Sequence, residues 1–400
     1  MFKDKNIFNG MKILMLSSYL PYPLTDGGNI RLYNLLKNLS KKHDITLICE
    51  KRSHQTQKDI DEINKICKKI ITINRPKVWS TENIVKTALS INPLLITSHT
   101  NKEMTEIIKQ ELLENKFDLI HVETFYVMQN LPKVGIPVVL VEHNIEFKVY
   151  ERYLKRSPFF LRPAMYLDIL KLRKKEKEAW RKADKLVAVS PSEQKEMGES
   201  AELVPNGVDI EKFKLKNKEF DKKEKKILFI GNFKWIQNRD SLAYIIRNIW
   251  PGITKKNPNL KLWVVGKNIP EKLKNLQNET ISFDENAPED TQLIFQEADL
   301  LLSPIRIGGG TNFKILEAMA SGTPVITSAL GNEGIGAKNG EEIIICSKPD
   351  EFVNKTLLVL SDKYLYEKLS RKARIFVEKN FDWKNITNKL EEIYQSLVKI

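Results

Sequence analysis

Two successive doubly wound α/β domains are what this 400-residue sequence predicts, and three observations predict them. Short apolar runs bounded by turn residues alternate with amphipathic stretches, the pattern of βαβ units on a parallel sheet. The alternation pauses once, at the turn Asn206-Gly207-Val208-Asp209 and the polar stretch KFKLKNKEFDKKEKK, and then resumes. The length agrees, since about 150 residues per domain makes this chain two to three domains.

The first series opens with Lys12–Ser17 (KILMLS), read as a buried strand after a loose lead-in. The loop YLPYPLTDGGN follows, and Ile30–Ser40 (IRLYNLLKNLS) carries apolar residues at helical spacing. Further strands are predicted at Asp44–Cys49, Lys69–Ile73, Leu119–Val122, Val138–Glu142 and Lys185–Val189, with a short one at Glu202–Val204. The second series runs through Lys226–Gly231, Lys261–Gly266, Thr280–Phe283, Leu300–Ser303, Pro324–Thr327 and Glu342–Ile345. The end, FDWKNITNKLEEIYQSLVKI, reads as an amphipathic helix. The expected division is 1–206, 207–378 and a terminal helix within 379–400. Ligands of open α/β sheets bind outside the carboxyl ends of the strands, so function is expected on the loops that follow strands.

Hydrophobic residues at 42% and charged residues at 29% exclude a disordered or fibrous chain. Cys49, Cys67 and Cys346 form no C-x-x-C pair, so neither a zinc ribbon nor a disulfide framework is expected, and a reducing compartment suits them. No apolar run reaches 18 residues, so no membrane span is expected. The net charge of +14 favours an anionic partner: nucleic acid, an anionic membrane surface or a phosphate-bearing substrate. Residues 148–185 hold thirteen Lys or Arg against five Asp or Glu, together with Phe159, Phe160, Met165, Tyr166 and Trp180. Basic residues interleaved with aromatics suit an anionic membrane surface; the alternative is a solvated helix pair with its aromatic stripe toward the core. No nucleic-acid-binding motif accompanies the charge, and nucleic acid is not expected as a partner.

The most informative stretch is SPIRIGGGTNFKILEAMASGTPVIT, Ser303–Thr327. After a strand end come Gly308, Gly309, Gly310, Thr311 and Asn312, and then a helix. Glycines let backbone approach a ligand, and a helix N-terminus offers amides and partial positive charge. Arg306 and Lys314 bracket the turn with full charge, and Glu317 stands a turn further on, where a carboxylate accepts bonds from a sugar diol. Together they read as a site for a diphosphate, a ribose and a sugar; the plainer reading is a strand–turn–helix with a basic surface. Asp26-Gly27-Gly28 follows the first strand without forming G-x-G-x-x-G, so a dinucleotide fingerprint is not supported. Arg31, one turn on, is either an anion contact or a solvated helix residue, and it is placed on the acceptor side. His143 follows VVLVE at a strand end, where it suits bonding to a sugar hydroxyl or proton transfer. His121 and Glu123 end another strand and are expected to face an acceptor. His43, His54 and His99 read as surface residues. Asp59-Ile60-Asp61 is the sole D-x-D; it lies in a polar helical stretch, and no metal site is expected.

LEAMASGTPVI resembles the signature of the retaining glycosyltransferases of family 4, which have the GT-B fold. Other pieces resemble that family in order: MKILMLSSYLPYPLTDGGNIR, FDLIHVE, VEHNIE, ADKLVAVSPSE with VPNGVD, and ILFIGNF. The resemblance covers nearly the whole chain. It implies two Rossmann-like domains facing a cleft, an acceptor-side first domain, a nucleotide-sugar donor domain, and a last helix that crosses back to the first. It implies that Glu317, matching the second glutamate of E-x7-E, binds the donor ribose. The first glutamate falls at position 309, where this chain has Gly309. Asn232 stands at a usual Arg position, and Gln237-Asn238 where Lys-Gly is usual. The pattern resembles a subgroup with P-x-R-x-G-G-G-T-x-x-K-x-L-E-A, in which Arg306 and Lys314 supply phosphate charge and backbone amides replace the carboxylate; Lys234 is a second phosphate candidate. The resemblance places the Gly27–Gly28 loop beside the donor phosphates and His143 with Glu317 in the catalytic set. It implies retention of anomeric configuration, no metal and no cofactor beyond the nucleoside-diphosphate-sugar co-substrate. The expected acceptor is a surface polysaccharide or lipid-linked glycan, and the expected location the cytoplasm, peripheral on the inner face of the membrane. Base selection is expected at Asp284–Pro288. A nucleotide-sugar 2-epimerase and a non-catalytic nucleotide- or lipid-binding protein are the alternative readings on the same fold.

Overall fold

The structure is a computed structural model and describes residues 10–75, 80–155, 157–215, 219–286, 291–308 and 310–398. The chain falls into two compact units, residues 1–204 with 387–400, and residues 205–386. Each is a parallel sheet with helices on both faces.

The first unit is built on β1 (Lys12–Ser17), β2 (Asp44–Lys51), β3 (Lys69–Asn74), β4 (Leu119–Glu123), β5 (Val138–Glu142), β6 (Lys185–Ala188) and β7 (Glu202–Leu203). Their spatial order is β3-β2-β1-β4-β5-β6-β7, every pair parallel. The strand order therefore reverses between β1 and β4. The central strands are buried along their length, which is why they read as unbroken apolar runs rather than alternating ones. The helices that position the site are α1 (Gly27–Leu39), α2 (Glu146–Leu154) and α3 (Arg162–Lys182). Asp26 caps α1 by accepting from the Asn29 amide at 3.0 Å, so the helix starts three residues earlier than its apolar spacing indicated.

The second unit repeats the plan with β8 (Lys226–Ile230), β9 (Lys261–Val265), β10 (Ile281–Asp284), β11 (Leu300–Ser303), β12 (Val325–Thr327) and β13 (Ile344–Ile345), in the order β10-β9-β8-β11-β12-β13. Its reversal lies between β8 and β11. Ile227 and Phe229 of β8 join one core cluster while Leu228 and Ile230 join the other, so this strand is covered on both faces. The ends of β8 and β9 crowd together: Gly266, at φ +142°, would place a Cβ 1.9 Å from the Gly231 carbonyl, which only glycine avoids. Helices α4 (Ile236–Tyr244), α5 (Phe313–Ala320) and α6 (Trp383–Leu397) complete the set used below. The last residues of α6, from Thr387 on, group with the first unit.

Two of the three histidines read as surface residues are interior. His43 is 4% exposed and accepts from the Met11 amide through Nδ1 at 3.1 Å. His99 is wholly buried, bonded to Glu50 at 2.8 Å and to Arg75 at 3.1 Å. A backbone amide for His43, and a buried carboxylate and a guanidinium for His99, satisfy these rings in the core, and the sequence neighbours of a histidine do not reveal such partners. His54 is exposed, as expected.

Candidate functional site

Both units gather their sequence-derived residues at the carboxyl ends of strands beside the order reversal, where an open α/β sheet leaves a crevice.

In the second unit the turn after β11 carries Arg306, Gly308, Gly310, Thr311 and Asn312 into α5; Gly309 lies outside the described residues. Gly308 and Gly310 adopt φ +116° and +74°, conformations that disfavour a side chain. The turn leans on the segment after β12: Asn312 Nδ2 donates to the Gly331 carbonyl at 3.2 Å, and a Cβ on Gly334 would fall 2.7 Å from the Gly310 carbonyl group. Because Asn312 bonds there, it places no side-chain cap on α5. A helix start of this kind is suited to an anion.

Lys314 stands in the first turn of α5. Its Nζ donates to Asn238 Oδ1 at 2.7 Å and lies 4.9 Å from the Phe229 ring centre. Burial pushes its ammonium down to about 7, with Glu317 pulling the other way. Asn238, which stands at a position where the family pattern has another residue, is thus the anchor of the lysine; its Nδ2 also donates to the Asn232 carbonyl at 2.9 Å. Glu317 is half-buried on α5 and close enough to Lys314 to feel its charge. Lys234 is exposed on the turn after β8, its amide bonded to Asn232 Oδ1 at 3.0 Å.

Arg306 is less open than a phosphate ligand was expected to be. Asp240 of α4 holds it through Nε at 3.1 Å and Nη2 at 2.8 Å, and the guanidinium stacks on Tyr244 at 4.1 Å. The side chain stays 47% exposed, so its outer edge remains accessible while its position is set by Asp240. Sequence reasoning missed Asp240, which lies 66 residues away in the chain.

In the first unit Gly27 and Gly28 begin α1, and Tyr19 Oη donates to the Gly28 carbonyl at 3.3 Å. Arg31 is 1% exposed, so it is neither a solvated residue nor one that faces an acceptor. His121 and Glu123 are wholly buried, which corrects the expectation that they face an acceptor. The physical reason is mutual satisfaction. Glu123 Oε2 takes His121 Nε2 at 2.6 Å, and Oε1 takes His143 Nε2 at 2.5 Å, with Arg31 Nε at 3.4 Å. His121 Nδ1 meets Tyr394 Oη at 2.5 Å. Burial would raise the Glu123 carboxyl, but its interactions with His143 and His121, the two short hydrogen bonds among them, outweigh it and hold it well below the usual range. His143 alone of the set reaches solvent, its side chain 17% exposed. Thr124, next to Glu123, sits at φ +71°, a strained conformation for a β-branched residue, and its hydroxyl lies 3.1 Å from that of Ser18. The loops after β1 and β4 are thereby tied together beside His143.

A second buried polar group flanks this one. Glu176 of α3 accepts the Glu146 and Phe147 amides at 2.8 and 3.0 Å, capping α2, while Glu142 accepts from Trp180 Nε1 at 3.0 Å. Burial raises both carboxyls, Glu176 to about 8. In the sequence Glu176 is one charge in the run RKKEKEAW, and no signal marks it as interior.

The basic stretch 148–185 divides by face. Ile169, Leu172, Ala179 and Trp180 point to the core, whereas Phe159, Phe160, Tyr166 and Leu167 are exposed, Phe159 by 80%. Lys171 Nζ fastens the helix Thr81–Ala88 beside α3 through the Thr87 and Ser90 carbonyls at 2.9 and 2.7 Å. That helix and the turn after it add exposed Ile84, Val85, Leu89 and Ile91. Among the described residues no helix is long and apolar enough to cross a membrane.

Two family models match the chain in succession, Glycosyltransferase Family 4 over residues 25–212 and Glycosyl transferases group 1 over residues 224–362. The chain belongs to the family 4, group 1 glycosyltransferases. This glycosyltransferase is 24% identical over 392 residues to an uncharacterized 44.6 kDa protein in the cps region of Klebsiella pneumoniae, covering 94% of this chain and 97% of that one. It is 21% identical over 213 residues to a phosphatidyl-myo-inositol mannosyltransferase of Mycobacterium tuberculosis, half of this chain and 55% of the relative. Its fold matches that of HepE from Anabaena, solved with UDP and glucose, at a TM-score of 0.64 and 17% identity over 97% of this chain and 100% of that chain. The α/β GT-B architecture expected from the sequence is therefore the one this enzyme has.

Proposed function

We propose that this glycosyltransferase moves a sugar from a nucleoside diphosphate to a hydroxyl of a lipid-linked or surface-polysaccharide acceptor, with retention of configuration and without a metal ion. The observation that carries the reading is the turn from Arg306 to Asn312, delivered by β11 onto a helix start that holds Lys314 and Glu317.

In this reading the second unit takes the donor. Glu317 accepts the ribose hydroxyls. The first-turn amides of α5 and Lys314 receive the diphosphate, and Arg306, set in place by Asp240, adds charge at the edge. An anion arriving beside Lys314 restores the proton that burial makes easy to lose, so the site becomes cationic when a phosphate occupies it. These groups supply the charge neutralisation that a metal supplies elsewhere. The bond between the anomeric carbon and the diphosphate oxygen breaks, the acceptor oxygen bonds to the same face, and its proton passes to the departing phosphate oxygen. In the first unit His143 meets a sugar hydroxyl.

Two supports bear on donor and acceptor. HepE was solved with UDP and glucose, and the mycobacterial relative is named for transfer to phosphatidyl-myo-inositol, a lipid. The exposed Phe159, Phe160, Tyr166 and Leu167, with Lys155, Arg162 and Lys174 exposed along the same stretch, give an amphipathic surface suited to anionic lipid headgroups.

The test is incubation with UDP-, GDP-, ADP- and TDP-sugars, with and without EDTA, plus a lipid fraction as acceptor. Release of one nucleoside diphosphate, unaffected by EDTA and slowed by Glu317→Ala, supports the reading. A sugar altered while still joined to its diphosphate would instead mark a 2-epimerase, and no binding of any donor would overturn both.

A further inference from the structure

The buried carboxylate between two histidines has a polarity that the chemistry of its members dictates. Burial keeps Tyr394 protonated, with Glu123 acting in the same direction. Toward a neutral His121 ring its hydroxyl is the donor, to Nδ1 across 2.5 Å. His121 then carries its proton on Nε2 and donates to Glu123 Oε2 at 2.6 Å. An ionised carboxylate accepts only, so His143 must also carry its proton on Nε2, which it donates to Oε1 at 2.5 Å. Arg31 of α1 faces the same oxygen at 3.4 Å. The members come from β4, the loop after β5, α1 and the last turns of α6, and all belong to the first unit. Only His143 reaches solvent.

We propose that Tyr394, His121 and Glu123 are positioning residues that hold His143 in its Nε2–H form, so that Nδ1 is the atom it presents to a ligand. His143 is thereby a hydrogen-bond acceptor toward a substrate hydroxyl while neutral, and its ring plane is set from Tyr394, 273 residues from His121 in the chain. The strained Thr124 follows Glu123 directly and is bonded to the loop after β1. A ring free to rotate would offer either nitrogen and would discriminate poorly between hydroxyl orientations. The role toward a sugar hydroxyl rests on the transferase reading above; the tautomer does not.

Imidazole nitrogen NMR of the ¹⁵N-labelled full chain tests this, with His143→Ala and His121→Ala assigning the signals. The wild-type protein is expected to show both rings as Nε2–H. Glu123→Gln keeps the size but replaces one acceptor oxygen by an NH₂ donor. Two Nε2–H groups then face one acceptor, and one ring must move its proton to Nδ1. Glu123→Asp keeps two acceptor oxygens and is expected to preserve both Nε2–H forms. Tyr394→Phe, the mildest change, removes the donor to His121 and is expected to shift the His121 Nδ1 signal. A folded Glu123→Gln protein with both rings still Nε2–H overturns the proposal. If that variant does not fold, a Tyr394→Phe protein with an unmoved His121 signal overturns it as well. Because these signals are read without any donor, loss of the transferase reading leaves them as expected. Loss of the relay leaves donor turnover intact and the rings indifferent to residue 123.

Discussion

Replacing Lys314 by methionine separates what this residue costs the fold from what it does for a ligand. Its ammonium titrates at about 7 instead of the ordinary 10.5, with burial the main cause. At about 1.4 kcal/mol per pKa unit, and with the group half-charged at pH 7, holding it in place costs the folded state about 4 kcal/mol. Methionine keeps much of the stem and removes the charge, but it gives up the bond to Asn238, a loss of about 1 kcal/mol. Lys314 is only partly buried, which reduces the gain further, so Lys314→Met is expected to stabilise the second unit by about 2–3 kcal/mol, or roughly 5–10 °C in Tm. The pH dependence has a definite sign. Between about pH 7 and 10.5 the unfolded chain binds the extra proton, so wild-type stability rises with pH through that window, and in Lys314→Met this rise is absent. Ligand binding moves the other way. A charge-assisted bond is worth about 1.5–3 kcal/mol, so nucleoside-diphosphate affinity is expected to fall by about 10- to 100-fold in the variant. Wild-type affinity is expected to weaken as pH rises above 7, with proton uptake on binding. Differential scanning calorimetry and isothermal titration calorimetry in two buffers of different ionisation enthalpy read all of this. A destabilised variant with unchanged nucleotide affinity would refute both halves of the reasoning.

Three further outcomes are expected. Glu176, raised to about 8, contributes stability that is fully present below its ordinary value and is lost as pH rises through 8. Glu176→Gln should therefore flatten the stability-against-pH curve between about pH 5 and 8 by up to about 1.4 kcal/mol per unit, measured by urea denaturation at fixed pH values. Phe159→Ser with Phe160→Ser should weaken partitioning to phosphatidylglycerol-containing vesicles by more than about tenfold, since each buried Phe contributes about 1.5–3 kcal/mol, and should leave Tm within a degree or so. Vesicle sedimentation in low and high salt checks this, and equal binding by the double variant would remove that surface from the account. Glu317→Ala should raise the donor KM and leave folding intact, as steady-state kinetics beside a thermal melt would read.

The strands were legible to within a residue or two because central strands of a parallel sheet are buried on both faces and read as continuous apolar runs. KILMLS and VVLVE are cases in which sequence expectation and structure coincide. The start of α1 was placed late because its first residues are glycines, while the Asp26 cap that starts the helix was read only as part of a loop. The donor-side turn was legible because its groups are adjacent in sequence. Its tuning was not. The burial of Lys314 depends on Asn238 and Phe229, and the setting of Arg306 depends on Asp240 and Tyr244, all contributed by other elements. The first unit hides more. Arg31, His121 and Glu123 are expected on the acceptor side because they lie in the first turns of a helix or at the end of a strand, yet all three are buried together, with both histidine-to-carboxylate bonds and the Arg31 ion pair closing on Glu123. Their last partner, Tyr394, looked like one more apolar position on an amphipathic helix. Gly309, where the family's first glutamate would fall, and Ala287–Pro288 of the loop expected to select the base lie outside the described residues.

The most direct test of the central claim is titration of the wild-type protein and Glu317→Ala with the UDP, GDP, ADP and TDP forms of glucose or mannose, followed by assay of nucleotide release. The account predicts that one base class binds, that its nucleoside diphosphate is released with or without EDTA when a lipid acceptor fraction is present, and that Glu317→Ala weakens binding. Absence of binding for every donor, or equal binding and release by wild type and Glu317→Ala, would contradict it.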